Sequence, residues 1–331
     1  MFASETQFVE WLSRQVPTRG RGLTLGIGDD AALVRPAAGR DWILTTDLSI
    51  EGIHFLRHLH PAATVGHRAL ARALSDVAAM GGTPRFALVS LALSQDVSRT
   101  WVQGLFRGIS RLARHYHVAV IGGDTAIVPG PTVIDVVVAG EAQKGEALRR
   151  SGAQPGDQIF VSGSLGLSAL GLCLLKAGKR SRAAWASVAL RAHCYPVPQI
   201  RLGRFLSRQH LANALIDLSD GLSSDLGRLC RASGVGARIW AERIPVPRIG
   251  RGRDARQWNP LQLALHGGED YQLLFTVPTA KVARIPTHFH GVPLFRIGEI
   301  QKSKKILLLR AGAKPEELLP AGYDHFRKLL P

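Results

Sequence analysis

Apolar residues follow Ser4 at helical spacing, at Phe8, Val9, Trp11 and Leu12, which predicts a capped opening helix. A short apolar strand is expected over residues 42–46, ending in Thr45-Thr46-Asp47. Residues 62–80 carry helical periodicity, and Gly81-Gly82 with Pro84 stop it. A buried strand over 86–93, a helix over 101–115 and a strand over 118–121 running into Gly122-Gly123-Asp124 come next. A β-branched run at 132–139 closes the first half. Residues 145–156, which hold Arg149-Arg150 and Pro155, read as a linker. The second half opens with a strand at 159–162, a glycine turn and a helix over 165–176. Residues 214–218 form a strand entering Ser219-Asp220-Gly221, followed by a helix over 222–231. A strand over 271–277 leaves Gly267-Gly268-Glu269-Asp270, and late strands are expected at 294–300 and 305–309. Alternating helices and strands in both halves predict an α+β fold rich in α/β alternation. At 331 residues the chain exceeds one comfortable core, so two domains are expected, residues 1–143 and 144–331.

Composition adds the solvent class. The chain is 46% hydrophobic and 20% charged, ordinary for a globular protein, and no apolar run reaches the roughly 18–20 residues that span a bilayer. The start, Met1-Phe2-Ala3-Ser4-Glu5, lacks the basic and apolar segments of a secretory signal. Three cysteines without paired spacing (Cys173, Cys194, Cys230) fit neither a disulfide framework nor a zinc site, and a reducing cytoplasm is the expected compartment. The net charge of +17 is uneven: residues 1–150 hold 16 Lys+Arg against 13 Asp+Glu, residues 151–331 hold 26 against 12. The basic residues are dispersed and do not interleave with aromatics, so a solvated basic surface is expected rather than a specific nucleic-acid groove.

Against this basic background, acids cluster beside glycines in Gly26-Ile27-Gly28-Asp29-Asp30, Gly122-Gly123-Asp124, Asp217-Leu218-Ser219-Asp220-Gly221 and Gly267-Gly268-Glu269-Asp270. Packed carboxylates repel and are costly to desolvate unless a cation joins them. Glycine permits sharp turns and close ligand approach. Repeated along the chain, the pattern predicts one hard-metal site assembled from distant segments, with a polyphosphate as cargo. The first motif also matches G-x-G-x-x-A, but two aspartates would stand where a pyrophosphate meets bare amides, so the dinucleotide reading is rejected. Thr45-Thr46-Asp47 offers hydroxyls beside a carboxylate, which suits magnesium. Asp76 lies in the apolar stretch 73–80 and must be paired, metal-bound or part of a surface stripe. Asp225 reads as a helix-surface charge and His54 as a lone loop histidine. No Walker loop, kinase H-R-D or D-F-G set, G-x-S-x-G elbow or H-E-x-x-H helix is present.

Seven segments together resemble bacterial thiamine-monophosphate kinases: 25–30, Thr45-Thr46-Asp47 with Gly52-Ile53-His54-Phe55, 74–81, 121–125, 216–222, 267–271 and Gly322-Tyr323-Asp324-His325-Phe326. The resemblance runs from about residue 4 to residue 326. It implies the two-domain PurM-like (aminoimidazole-ribonucleotide-synthetase-like) fold. Residues 1–143 would be an ATP- and magnesium-binding domain that joins a homodimer, and residues 144–331 a C-terminal α/β domain. The implied reaction moves the γ-phosphoryl of ATP onto thiamine monophosphate. By motif, the ligands of several magnesium ions would be Asp30, Thr45, Thr46, Asp47, Asp76, Asp124, Asp217 and Asp220. ATP would meet Gly123, Arg150 and Ser219; thiamine monophosphate would meet His54, Glu269 and Tyr323. Asp29 and Asp270 receive no role. An acceptor phosphate whose second pKa is around 6 is already deprotonated near neutral pH, so no catalytic base is assigned.

Related chemistries fit less well. Selenophosphate synthetases use a reactive residue near the N-terminus, whereas the first cysteine here is Cys173; the hydrogenase-maturation relatives use a C-terminal cysteine, whereas this chain ends Leu329-Leu330-Pro331. The purine-synthesis members share the implied fold, but the His54 and Tyr323 motifs speak against them. A nucleic-acid binder would leave the ordered aspartates unexplained. The expected partners are therefore ATP and thiamine monophosphate, with neither a membrane nor a specific nucleic acid.

Overall fold

The computed structural model describes residues 11–16, 20–25, 33–34, 37–178, 183–250 and 257–323. The Ser4 cap, Asp29, Asp30 and Asp324-His325-Phe326 lie outside these residues; the opening helix is seen as α1 over 11–15. The chain divides into two compact units, one of Met1–Val77 with Gly82–Ala147, the other of Ala78–Gly81 with Leu148–Pro331.

The first unit holds a short antiparallel pair, β1 (Leu23–Leu25) and β2 (Leu33–Val34), then β3 (Arg40–Ile50), α2 (Ala62–Ala79), β4 (Thr83–Ser94), α3 (Arg99–Tyr116), β5 (Ala119–Val128) and β6 (Val133–Gln143). Its main sheet has the order β3-β6-β4-β5, with β4 and β5 parallel across the α3 crossover and the other pairs antiparallel. Period-two alternation sorts the faces. Ile134, Val136 and Val138 of β6 are fully buried, while the alternate residues Val133, Asp135 and Val137 are half-buried. The helices add Leu70, Leu74, Leu105 and Ile109 to the buried set. Ser98 caps α3 by accepting from the Trp101 N–H at 3.2 Å, and His117 closes it in the left-handed conformation.

Two strands depart from the sequence expectation. β3 runs to Ile50 because all eleven residues pair with β6, so Thr45-Thr46-Asp47 sits mid-strand rather than at a strand end. β5 likewise does not stop at 121: the register slips by one residue after Val120, and the strand then carries Gly122-Gly123-Asp124 onward beside Leu88, Val89 and Ser90. Gly123 (φ +152°) allows this, since a Cβ there would stand 1.8 Å from the Val89 carbonyl oxygen. The expected strand end at 121 is a bulge inside a longer strand.

Residues 144–157 hold no helix or strand. The second unit then runs β7 (Gln158–Ser162), α4 (Leu167–Lys176), α5 (Ala184–Cys194), α6 (Ile200–Arg208), β8 (Ala214–Leu218), α7 (Leu222–Ser233), β9 (Gly236–Trp240), α8 (Pro260–His266), β10 (Gln272–Val277), β11 (His288–Phe289), β12 (Val292–Gln301), β13 (Ile306–Leu309) and β14 (Glu316–Glu317). The sheet order is β14-β13-β9-β12-β7-β10-β8, with β11 on β12, and only β13–β9 is parallel. A largely antiparallel sheet with helices makes this unit α+β. Every residue of β7 and β8 is buried, and Ile159, Val161, Ile216, Leu218, Leu226 and Leu274 join one core. Periodicity reading had passed over α5, α6, α8 and β9. No helix among the described residues is long and apolar enough to cross a membrane.

Candidate active site

In the first unit the alternation of β3 divides the expected ligands between the faces of the sheet. Thr45 and Asp47 share the side of buried Ile43 and Ser49; Thr46 shares the side of exposed Leu44 and Leu48. On the buried side, Thr45 Oγ1 donates to Asp76 Oδ2 at 2.5 Å, which settles Asp76 as a paired carboxylate facing β3 rather than a surface-stripe residue. Asp47 meets Arg72 of α2, whose Nη2 lies 3.3 Å from Oδ1. Burial pushes the Asp47 carboxyl up to about 6; Arg72 opposes the rise, and the negative charges of Asp76 and Asp135 add to it.

On the other side, Thr46 Oγ1 donates to Asp135 Oδ1 at 2.6 Å. The ladders place Asp135 beside Leu48 on one flank and Ser90 on the other, with Asp124 beyond Ser90. Asp124 is therefore two strand spacings, roughly 10 Å, from Asp135. It is exposed and accepts from the Thr125 N–H at 2.7 Å. Asp135 escaped the sequence reading. Its signal was the one that marked Asp76, a single carboxylate in an apolar run.

His54 follows β3 in a tight turn. Its Nδ1 accepts from the Ile50 N–H at 3.0 Å, so a neutral ring carries its proton on Nε2, and the guanidinium of buried Arg68 donates to its carbonyl at 3.2 Å. The turn is braced by Glu51, which accepts from Arg57 at 2.5 Å and from the Thr132 N–H at 3.2 Å. The lone loop histidine is thus held in one orientation.

In the second unit three separate segments converge at the exit of β8. Glu269 N–H donates to the Ser219 carbonyl at 2.7 Å, Tyr271 N–H to Leu218 at 2.9 Å and Tyr323 N–H to Asp220 at 3.1 Å. Glu269 and Tyr271 both hold positive φ, 66° and 50°, a local strain fixed by these bonds. Gly322 comes so close that a Cβ would lie 2.0 Å from the Asp220 carbonyl oxygen. Asp217 is buried on β8, and the Asp220 carboxylate pairs with Arg228. Asp217, Ser219, Asp220, Glu269 and Tyr323 are brought together. Arg150 is not at this exit: its carbonyl accepts from Ser233, and Arg149 pairs with Leu215 near the entrance of β8.

Two carboxylates here have structural work. Asp225 is a correction to the surface-charge expectation, for its side chain is 0% exposed. Its Oδ2 accepts from the Asp220 and Gly221 N–H groups at 3.0 and 3.1 Å and its Oδ1 from Arg228 at 2.7 Å, so it folds back over the start of α7. Burial first, and then Asp220, push it up to about 6. Asp270 accepts from the N–H groups of Gly166 at 2.5 Å and Ser168 at 3.1 Å at the start of α4, and burial pushes it up to about 7.

Residues 28–142 match the N-terminal domain of AIR synthase related proteins, and residues 154–308 match the C-terminal domain. The thiamine-monophosphate kinase of Escherichia coli (strain K12) is 39% identical over 91% of this chain and 92% of its own length. The chain belongs to the thiamine-monophosphate kinase family. The family likeness extends to solved folds: the crystal structure of the thiamine-monophosphate kinase from Stenotrophomonas maltophilia K279a superposes with a TM-score of 0.79 at 33% identity, covering 91% of this chain and 94% of that one. A structure of AaThiL complexed with AMPPCP and TMP matches with a TM-score of 0.73 at 30% identity, covering 95% and 96%. The two-domain PurM-like fold expected from the sequence is thereby shown for this family member.

Magnesium fits the donor chemistry of the first unit. The pairs Thr45–Asp76 on one face of β3 and Thr46–Asp135 on the other offer only oxygen, and the charges of Asp76 and Asp135 raise the proton affinity of Asp47. Among the described residues no three His, Cys, Asp or Glu side chains form a ready-made metal cage. Magnesium does not require one, because it keeps several waters and takes one or two carboxylates plus substrate phosphates.

Proposed function

We propose that this chain transfers the γ-phosphoryl group of ATP to thiamine monophosphate, giving thiamine diphosphate and ADP, with magnesium and without a protein general base. The observation that carries this reading is the convergence of Asp217-Leu218-Ser219-Asp220, Glu269 and Tyr323 by backbone bonds at one strand exit, in a chain of this family. The AMPPCP and TMP held by the related structure make ATP and thiamine monophosphate the natural pair.

Bound magnesium would neutralise the repulsion between two anionic reactants and hold their phosphates in line. Asp47, Asp76, Asp124, Thr45 and Thr46 are the residues of the first unit that would hold it, together with Asp30; Asp217 and Asp220 serve in the second. Gly123, Ser219 and Arg150 are assigned to ATP. His54, whose ring is oriented by the Ile50 N–H on Nδ1, suits the phosphate of thiamine monophosphate. Tyr323, about half exposed, suits stacking on a thiamine ring, and Glu269 suits a polar ring group. The acceptor oxygen needs no base, since a phosphate monoester has its second pKa around 6.

The domain roles follow the same reading. Residues 1–143 bind ATP and magnesium and join a homodimer, and residues 144–331 form the C-terminal domain. Support for the homodimer is the open face of the four-stranded sheet, where Leu44 is 71% exposed and Trp42, Leu88 and Val137 line a shallow apolar pocket of about 240 Å³. Catalysis is assigned to the cytoplasm.

The test is a chromatographic assay of purified protein with ATP, magnesium and thiamine monophosphate. Thiamine diphosphate and ADP are expected in equal amounts. A folded protein that forms no thiamine diphosphate across a range of magnesium and salt would refute the reading.

A further inference from the structure

We propose that His193 is a positioning residue that orients the carboxylate of Glu269, an inference that rests on the reading of Glu269 as a thiamine-side group. His193 lies in the last turn of α5 with only 1% of its side chain exposed. Leu170 and Leu174 of α4 pack with Ala186 and Ala189 of α5, so the imidazole is carried on a fixed helix pair. Its Nδ1 stands 3.0 Å from Ser168 Oγ and 3.7 Å from Glu269 Oε2.

Burying an imidazole is costly unless its nitrogens are engaged. Ser168 alone would satisfy Nδ1, yet the same nitrogen also faces the carboxylate of a loop residue that is 24% exposed. The Glu269 backbone is pinned independently, by its N–H on Ser219 and its φ of 66°. The direction of the side chain is set separately, and His193 is a buried group that faces it. Ser168 ties the parts together, because its N–H donates to Asp270 while its hydroxyl bonds His193. Adjacent acids therefore divide the labour: Asp270 anchors the loop to α4, and Glu269, steered from behind by His193, faces an amino-bearing, cationic heteroaromatic ring.

Steady-state kinetics on the full chain test this with His193→Leu, His193→Gln, Glu269→Gln and the Leu/Gln double variant. His193→Leu should raise the KM for thiamine monophosphate by about 5- to 50-fold, the range expected for coupled neighbours, and leave the KM for ATP unchanged. His193→Gln keeps an N–H donor and should recover most of the loss. In the Glu269→Gln background, His193→Leu should add little. Parallel rises in both KM values, or additive effects in the double variant, would overturn the proposal and leave His193 a packing residue. If Glu269→Gln itself spares the KM for thiamine monophosphate, the substrate reading of Glu269 has failed and this inference falls with it. Should His193→Leu not fold, Ser168→Ala decides: a selective rise in that same KM supports the relay, and no change overturns it.

Discussion

On the four-stranded sheet, Asp47 is half-buried with Arg72 at 3.3 Å and with Asp76 and Asp135 as acidic neighbours. At the exit of β8 and the start of α4, Asp225 is buried and Asp270 half-buried, and each accepts from two backbone N–H groups at a helix start. Both regions push carboxyls upward by desolvation. They differ in what compensates the charge. Backbone donors supply the second region from within the fold, whereas in the first Asp47 has one arginine and acidic neighbours, and on the proposed reading a cation would complete it. Carboxylates whose pKa burial raises are thus of two kinds in this chain, and the partner of each separates them.

The sharpest way to break this comparison is to neutralise one acid of each kind. Asp47→Asn should lower kcat by about 10²–10³-fold, the cost of removing one electrostatic contact to a transferring group, while the thermal unfolding curve stays in place. Near-normal turnover would end its metal role. A smaller kinetic effect is expected from Gly322→Ala, whose Cβ would drive residues 322–323 off Asp220 and displace Tyr323. The KM for thiamine monophosphate should rise by up to about 100-fold with the KM for ATP unmoved; equal changes in both would contradict the placement.

Asp225→Asn belongs to the opposite class. Its alanine counterpart, Asp225→Ala, should cost about 1 kcal/mol of stability in denaturant unfolding, as a lost helix-start acceptor does, and Asp225→Asn, which keeps an oxygen acceptor, should cost less and retain turnover. The smallest signal is the pH dependence at Asp270. Its folded pKa, about 7, stands above the unfolded value of 3.8, so its contribution favours the native state fully below 3.8 and is lost as pH rises through about 7. Wild type should therefore be more stable than Asp270→Asn at pH 5, with the gap shrinking towards pH 8. A gap that widens with pH would reverse the sign of this account.

Much of the second unit was legible because its signals are local. The run Ala214–Leu218 is entirely apolar before Asp217 and ends at Ser219-Asp220-Gly221, and the strand has those bounds. The first unit was read less well because ladder partners, not local residues, set strand length. β3 and β5 both continue past their apolar stretches since β6 and β4 pair with them throughout. Asp135 was missed although its apolar neighbours were noted. Asp225 was misassigned because counting from Leu222 places it on a helix face, while an acid in a first helical turn after a glycine cap has unpaired N–H groups within reach. His193 had no motif at all; only the packing of α5 on α4 brings it to Glu269.

On the proposed function a divalent cation would complete the Asp47 region. Manganese binding near neutral pH, followed by electron paramagnetic resonance of wild type and Asp47→Asn in the presence of an ATP analogue, tests it most directly. Wild type should bind manganese that magnesium displaces, and Asp47→Asn should bind it at least about 10-fold more weakly. Superimposable isotherms for the two proteins would contradict it.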